Sequence, residues 1–174
     1  YCASIMVSEE IALEKLSWRV VTGNGYGSTH DPTGDYLYGY EVCVDATRRK
    51  LRIGQRFYNQ RKKLARYLRL KGIVFAGRLP RLKTKLKEAG TPENYLKLVM
   101  EKKVRDPILS FQLRNGFEIL GLIKNYLPSD KESLGYGCHL IWRNPEAEVE
   151  ISNIKSNQPQ TSNNYNPSVR VATI

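Results

Sequence analysis

A chain of 174 residues is long enough for one domain with its own core and a tail beside it. Lys+Arg total 28 against 17 Asp+Glu, a net charge of +11, and a hydrophobic content of 41% excludes disorder along the whole length. No apolar run approaches the ~18–20 residues of a membrane span, and three scattered cysteines (Cys2, Cys43, Cys138) without a CxxC exclude a disulfide scaffold or a zinc knuckle. No metal is expected, and a reducing cytoplasm is the expected setting. The chain opens at Tyr1 without a signal-peptide pattern, and we expect a fragment.

In chain order, Ile11–Val21 carries a weak pattern for a short helix leading into a strand, and Gly23–Gly34 reads as a turn-rich connection. Tyr36–Val44 (YLYGYEVCV) is β-branched and aromatic, hence a strand, with Gly39 marking a bulge or a close backbone approach. Ile53–Leu70 puts Ile53, Phe57, Leu64 and Leu68 on one face and predicts an amphipathic helix. Gly72–Gly77 (GIVFAG) predicts a short strand buried on both faces. Thr91 followed by Pro92 and Glu93 opens a helix expected to reach about Lys103. Pro107–Arg114 predicts another, stopped by Asn115-Gly116. Phe117–Tyr126 and Gly137–Trp142 then read as two strands. This alternation describes an α/β (α+β) sheet protein over residues 1–144. Residues 145–168 are polar and rich in Asn, Gln, Ser and Pro, a linker composition, and residues 169–174 (VRVATI) alternate like the opening strand of another unit.

The chemistry concentrates in the connection Asp45–Gly54 (DATRRKLRIG), between a strand and a long helix. A helix N-terminus presents unpaired amides and a partial positive charge, and with Arg48, Arg49, Lys50 and Arg52 alongside, it forms a pyrophosphate seat. The alternative from the residues alone is a solvated basic helix start. The basic run through Arg56, Arg61, Lys62, Lys63, Arg66, Arg69 and Lys71 also raises an RNA-binding surface, although no RNP, KH or helix-turn-helix pattern accompanies it.

Arg49-Lys50-Leu51-Arg52-Ile53-Gly54 resembles the Q/R-x-x-G-x-G/A loop of the GNAT superfamily of N-acetyltransferases, and it follows a V-x-V strand end at Val42-Cys43-Val44. Ser110–Phe117 (SFQLRNGF) resembles that family's second motif, a helix ending in Gly-Phe. LRIGQRFY (51–58), GRLP (77–80), DPILSFQLRNGF (106–117) and NYLPSDKESLGYG (125–137) are similar to blocks of the subgroup fused ahead of a carbon–nitrogen hydrolase, a nitrilase-like domain, whose opening strand SVRVATI resembles.

The resemblance implies a GNAT-like mixed, mostly antiparallel sheet flanked by helices and N-terminally incomplete. It implies acetyl-CoA or another acyl-CoA as co-substrate, with the pyrophosphate on the loop Arg49, Lys50, Leu51, Arg52, Ile53 and Gly54. The pantetheine arm would lie along Val42, Cys43 and Val44, with an amide of Cys43 or Val44 as oxyanion donor. Direct N-acyl transfer to a small-molecule or peptide amine is then the expected reaction, with Glu41 as base ahead of Asp45 and His30. Many members carry a Tyr acid where this sequence has Gln112, leaving Tyr58 or Tyr126 to serve. Lys50 and Arg52 stand where the motif has small residues. A non-catalytic CoA-binding or regulatory module of the hydrolase is the competing expectation. His139 is expected to be structural, and Cys43 a packed thiol rather than a nucleophile. No membrane partner is expected.

Overall fold

The computed structural model describes residues 1–147, with backbone alone at Arg49 and Lys50. Five strands form one sheet in the order β1-β2-β3-β5-β4: β1 (Cys2–Val7), β2 (Tyr36–Val42), β3 (Gly72–Gly77), β4 (Glu118–Ile123) and β5 (Gly137–Arg143). Only β2 and β3 run parallel; the other three pairings are antiparallel. This is the mixed, mostly antiparallel sheet expected. The polar stretch after Ala147 and the strand-like 169–174 lie outside the described residues. No helix among the described residues is long and apolar enough to cross a membrane.

Strand alternation sends side chains to two cores. Leu37, Ile73, Phe75, Leu140 and Trp142 face α3 (Ile53–Tyr67), α4 (Leu82–Ala89), α5 (Pro92–Met100) and α6 (Pro107–Arg114). Tyr36, Tyr38, Val74 and Ile141 face the other way, onto Ala12 of α1 (Glu9–Leu13) and Val21 of α2 (Trp18–Thr22). Helices on both faces explain why β3 is apolar without alternation. Thr91 caps α5 by accepting from the Asn94 amide, with Pro92 in the first turn. His139 is buried, its Nε2 3.0 Å from the Ala12 carbonyl, and is structural as expected.

Several expectations need correction. Cys2–Val7 is a strand that pairs antiparallel with β2, and Ile11–Val21 holds two short helices and no strand. A further helix, α4, follows β3. The strand expected to reach Val44 ends at Val42, and the helix expected to reach Leu70 ends at Tyr67. The helix after Thr91 stops at Met100, and β4 spans only Glu118–Ile123. Cys43 therefore lies beyond the strand and is exposed, not packed.

Candidate functional site

β2 and β3 pair only at Tyr36–Gly72, Leu37–Ile73 and Tyr38–Val74. Beyond that point β2 continues to Val42 and β3 to Gly77 without pairing to each other, each still held by its outer neighbour, so the sheet opens between them. A cleft of about 430 Å³ occupies the opening, bounded by Gly39–Val42, by Phe75–Arg78, and by Gly54 and Tyr58 of α3. Gly54 brings the head of α3 to the cleft. No side chain among the described residues caps that helix; its first residue follows Arg52, which sits at φ +55° and ψ +26°, and the Arg56 amide returns to the Arg52 carbonyl. The first-turn amides thus lack a side-chain acceptor, the arrangement that favours an anion. Arg52 adopts a left-handed backbone that glycine takes without strain, at a position where the resembled motif carries a small residue.

The expected site residues divide. Glu41 and Val42 line the cleft, and Glu41 is the one carboxylate lining it among the described residues. Glu41 is exposed and its Oε2 accepts from the Tyr1 hydroxyl at 3.0 Å. Asp45 does not line the cleft; its Oδ1 accepts from the Thr47 amide at 2.8 Å and so caps the short 3-10 helix Ala46–Leu51. His30 is also elsewhere, with Nδ1 accepting from the Met6 amide. The Cys43 amide donates to the Tyr1 carbonyl at 2.9 Å and is not free to hold an oxyanion, whereas the Val44 amide makes no hydrogen bond among the described residues.

Gln112 comes from α6, whose start is fixed by Asp106: its Oδ1 accepts from the Ile108 and Leu109 amides, and its Oδ2 from the buried Tyr95 hydroxyl at 2.6 Å. Gln112 is 4% exposed, its Oε1 has no hydrogen-bond partner among the described residues, and its Nε2 lies 3.5 Å from the Tyr58 hydroxyl. Burial pushes the Tyr58 phenol up and the Tyr126 phenol up to about 12, so both keep their protons at neutral pH. Tyr126 meets Tyr38 hydroxyl to hydroxyl at 3.3 Å and also lines the cleft. Two protonated phenols thus line the cleft beside Gln112, whose amide carries no acidic proton.

Three features escaped the sequence reading. Arg61, a member of the basic run that raised an RNA-binding surface, is 6% exposed and lines the cleft. Trp18 lines it from the opposite sheet face, its Nε1 donating to the Tyr40 carbonyl. Arg78 clamps Asp130 with Nε and Nη2, at 2.6 and 2.7 Å, and the Asp130 carboxylate also accepts from the Ser133 hydroxyl, whose Oγ accepts from the Leu79 amide. This clamp fastens the turn after β3 to the loop carrying Tyr126, and the signal for it was present in the GRLP and NYLPSDKESLGYG blocks. The basic run is also partly spent within the fold: Lys62 lies over the Phe117 and Trp142 rings, Arg66 pairs with Glu146, and Lys71 with Glu9 and Asp35.

No family model matches the chain. It is 38% identical over 143 residues to the probable hydrolase YhcX of Bacillus subtilis (strain 168), covering 82% of this chain and 28% of that protein. It is 38% identical over 128 residues to the uncharacterized N-acetyltransferase YkwB of the same organism, covering 74% of this chain and 56% of that one. The chain therefore spans 28% and 56% of the lengths of these curated relatives. Among solved structures, the GphF GNAT-like decarboxylase in complex with isobutyryl-CoA superposes with a TM-score of 0.64 at 25% identity, covering 82% of this chain and 71% of that one. The loading GNATL domain of CurA from Lyngbya majuscula superposes with a TM-score of 0.68 at 16% identity, covering 83% and 70%, a likeness of fold alone. With its open strand pair and the uncapped helix beside it, the described domain has a GNAT-like fold.

Proposed function

We propose that this domain is an acyl-CoA-dependent N-acyltransferase, acetyl-CoA being the donor, that passes the acyl group directly to an amine. The observation that carries the reading is the gap between β2 and β3, opening after Tyr38 and Val74 beside the uncapped head of α3. The diphosphate would rest on the main chain of residues 49–54, and the pantetheine along β2 at Val42 and the adjoining Cys43 and Val44, hydrogen-bonding as an added strand. The thioester then reaches the gap, where the Val44 amide can hold the oxyanion. Glu41 removes the amine proton, and Tyr126 or Tyr58 protonates the leaving thiolate. Likeness to a protein named as an N-acetyltransferase and to a GNAT-like fold solved with isobutyryl-CoA supports the donor. That the chain matches 28% of a probable hydrolase supports a further hydrolase unit in the whole protein. Three free cysteines support a reducing, cytoplasmic setting.

A second reading, a CoA-binding module without turnover, is favoured by the amide of Gln112 where a phenol would donate a proton. The two separate by assaying thiol release from acetyl-CoA across an amine panel. Turnover lost in Glu41→Gln with acetyl-CoA binding retained supports transfer; binding without thiol release for any amine supports the module.

A further inference from the structure

Arg61 forms no ion pair among the described residues. Its guanidinium packs under Gly39, where a Cβ would come within 2.8 Å of Cζ. Nε donates to Ser4 Oγ at 2.9 Å, and Nη2 donates to the Ala3 and Glu41 carbonyls. These bonds bridge the register shift between β1 and β2, where Ala3 pairs with Glu41 but Ser4 pairs with Gly39. The bridge uses two of the three nitrogens. Nη1 has no hydrogen-bond partner among the described residues, and every ion pair found there involves another cation. The ionisable groups that act on Arg61 are Cys2 and Tyr58, both pushed up by burial and so neutral at pH 7. Glu41 faces it with a main-chain carbonyl, while its carboxylate is engaged by Tyr1. A guanidinium keeps its charge in proteins, and burying most of it without a counter-charge is unfavourable. A bulge could be bridged by a neutral amide without that cost.

Arg61 also lines the cleft, with Gly54, Gly77 and Gln112. We propose that the substrate supplies the missing anion: a carboxylate, on the acyl chain of the thioester or on the amine, that docks against Nη1 of Arg61 within the cleft. The site thereby selects carboxylated substrates over their uncharged counterparts. No bond is made or broken in this step; Arg61 anchors and orients. The inference rests on the acyl-CoA reading above.

Trp18 in the cleft wall offers a fluorescence readout of occupancy. One arm titrates the protein with malonyl-CoA and with acetyl-CoA. The other, with CoA present, titrates α-amino acids and their decarboxylated amines. A preference of about tenfold or more for the carboxylated member in either arm is expected, falling to about twofold or less in Arg61→Lys and Arg61→Met. The arm that shows it assigns the carboxylate to the acyl chain or to the amine. Equal affinities within about twofold in both arms overturn the proposal. The wild-type comparison decides this even if both variants fail to fold. If no thioester and no CoA bind, the acyltransferase reading falls, and the amine pairs alone decide the role of Arg61.

Discussion

The amide of Gln112 packs against Gly77: a Cβ at that glycine would come within 2.4 Å of Oε1 and 2.6 Å of Nε2. The last residue of β3 is therefore a glycine because α6 places a polar group where a side chain would project. The contact lines the cleft, and Oε1 is left without a donor among the described residues. Burying an amide oxygen without a partner costs about 1–3 kcal/mol. Replacing Gln112 with Leu should thus raise stability by about 1 kcal/mol in urea melts while lowering turnover, whereas Gly77→Ala should destabilise by about 2 kcal/mol by forcing that amide aside. A Gln112→Leu protein that is less stable and equally active would show the amide to be a packing group alone.

Arg78 and Asp130 should make the far wall of the cleft acid-sensitive. The Arg78 guanidinium, with help from Ser133, holds the Asp130 carboxyl at about 2, below its ordinary 3.8. A depressed value stabilises the fold fully above 3.8, and the contribution drains away as pH falls towards 2. Because Arg78 is half exposed, solvent screening reduces the gain to about 1–2 kcal/mol. Asp130→Asn should therefore be less stable than the parent by that amount at pH 7, with the gap closing between about pH 4 and pH 2. A gap that stayed constant over that range would contradict the ionic origin of the clamp.

Much of this framework was legible in the sequence, and the failures have physical causes. Gly72–Gly77 is apolar because helices cover both faces, and α3 announced itself by period. Gly39 was readable as a close approach, but not what approaches it, since a charged residue in a basic run gives no sign of being buried. α1 and α2 are five residues each, too short for a helical period to emerge, although Ser8 and Ser17 do cap them. β1 is an edge strand with mostly half-buried side chains, so its alternation is weak. α4 has Arg81 at its N-cap, which makes no side-chain cap, and so lacked a start signal. Of the proposed site, the basic turn at residues 49–54 and Glu41 could be named from local sequence. Arg61, Trp18 and the Arg78–Asp130 clamp required knowing which distant segments meet.

Arg52 links backbone strain to ligand charge. Its φ of +55° costs a non-glycine residue about 1 kcal/mol. Arg52→Gly should leave thermal stability equal or raise it by up to about 1 kcal/mol, while weakening CoA and flattening the salt dependence of its binding. Loss of stability, with CoA affinity unchanged, would mean that the side chain serves the fold and not the ligand.

The most direct test follows the backbone amides of residues 51–55 by NMR during titration with acetyl-CoA and with CoA trimmed of its nucleotide diphosphate. The account predicts that the Ile53, Gly54 and Gln55 amides move strongly with acetyl-CoA and little with the trimmed thioester, while Gly39–Val42 respond to both. Binding of acetyl-CoA that left the head of α3 unperturbed would contradict it.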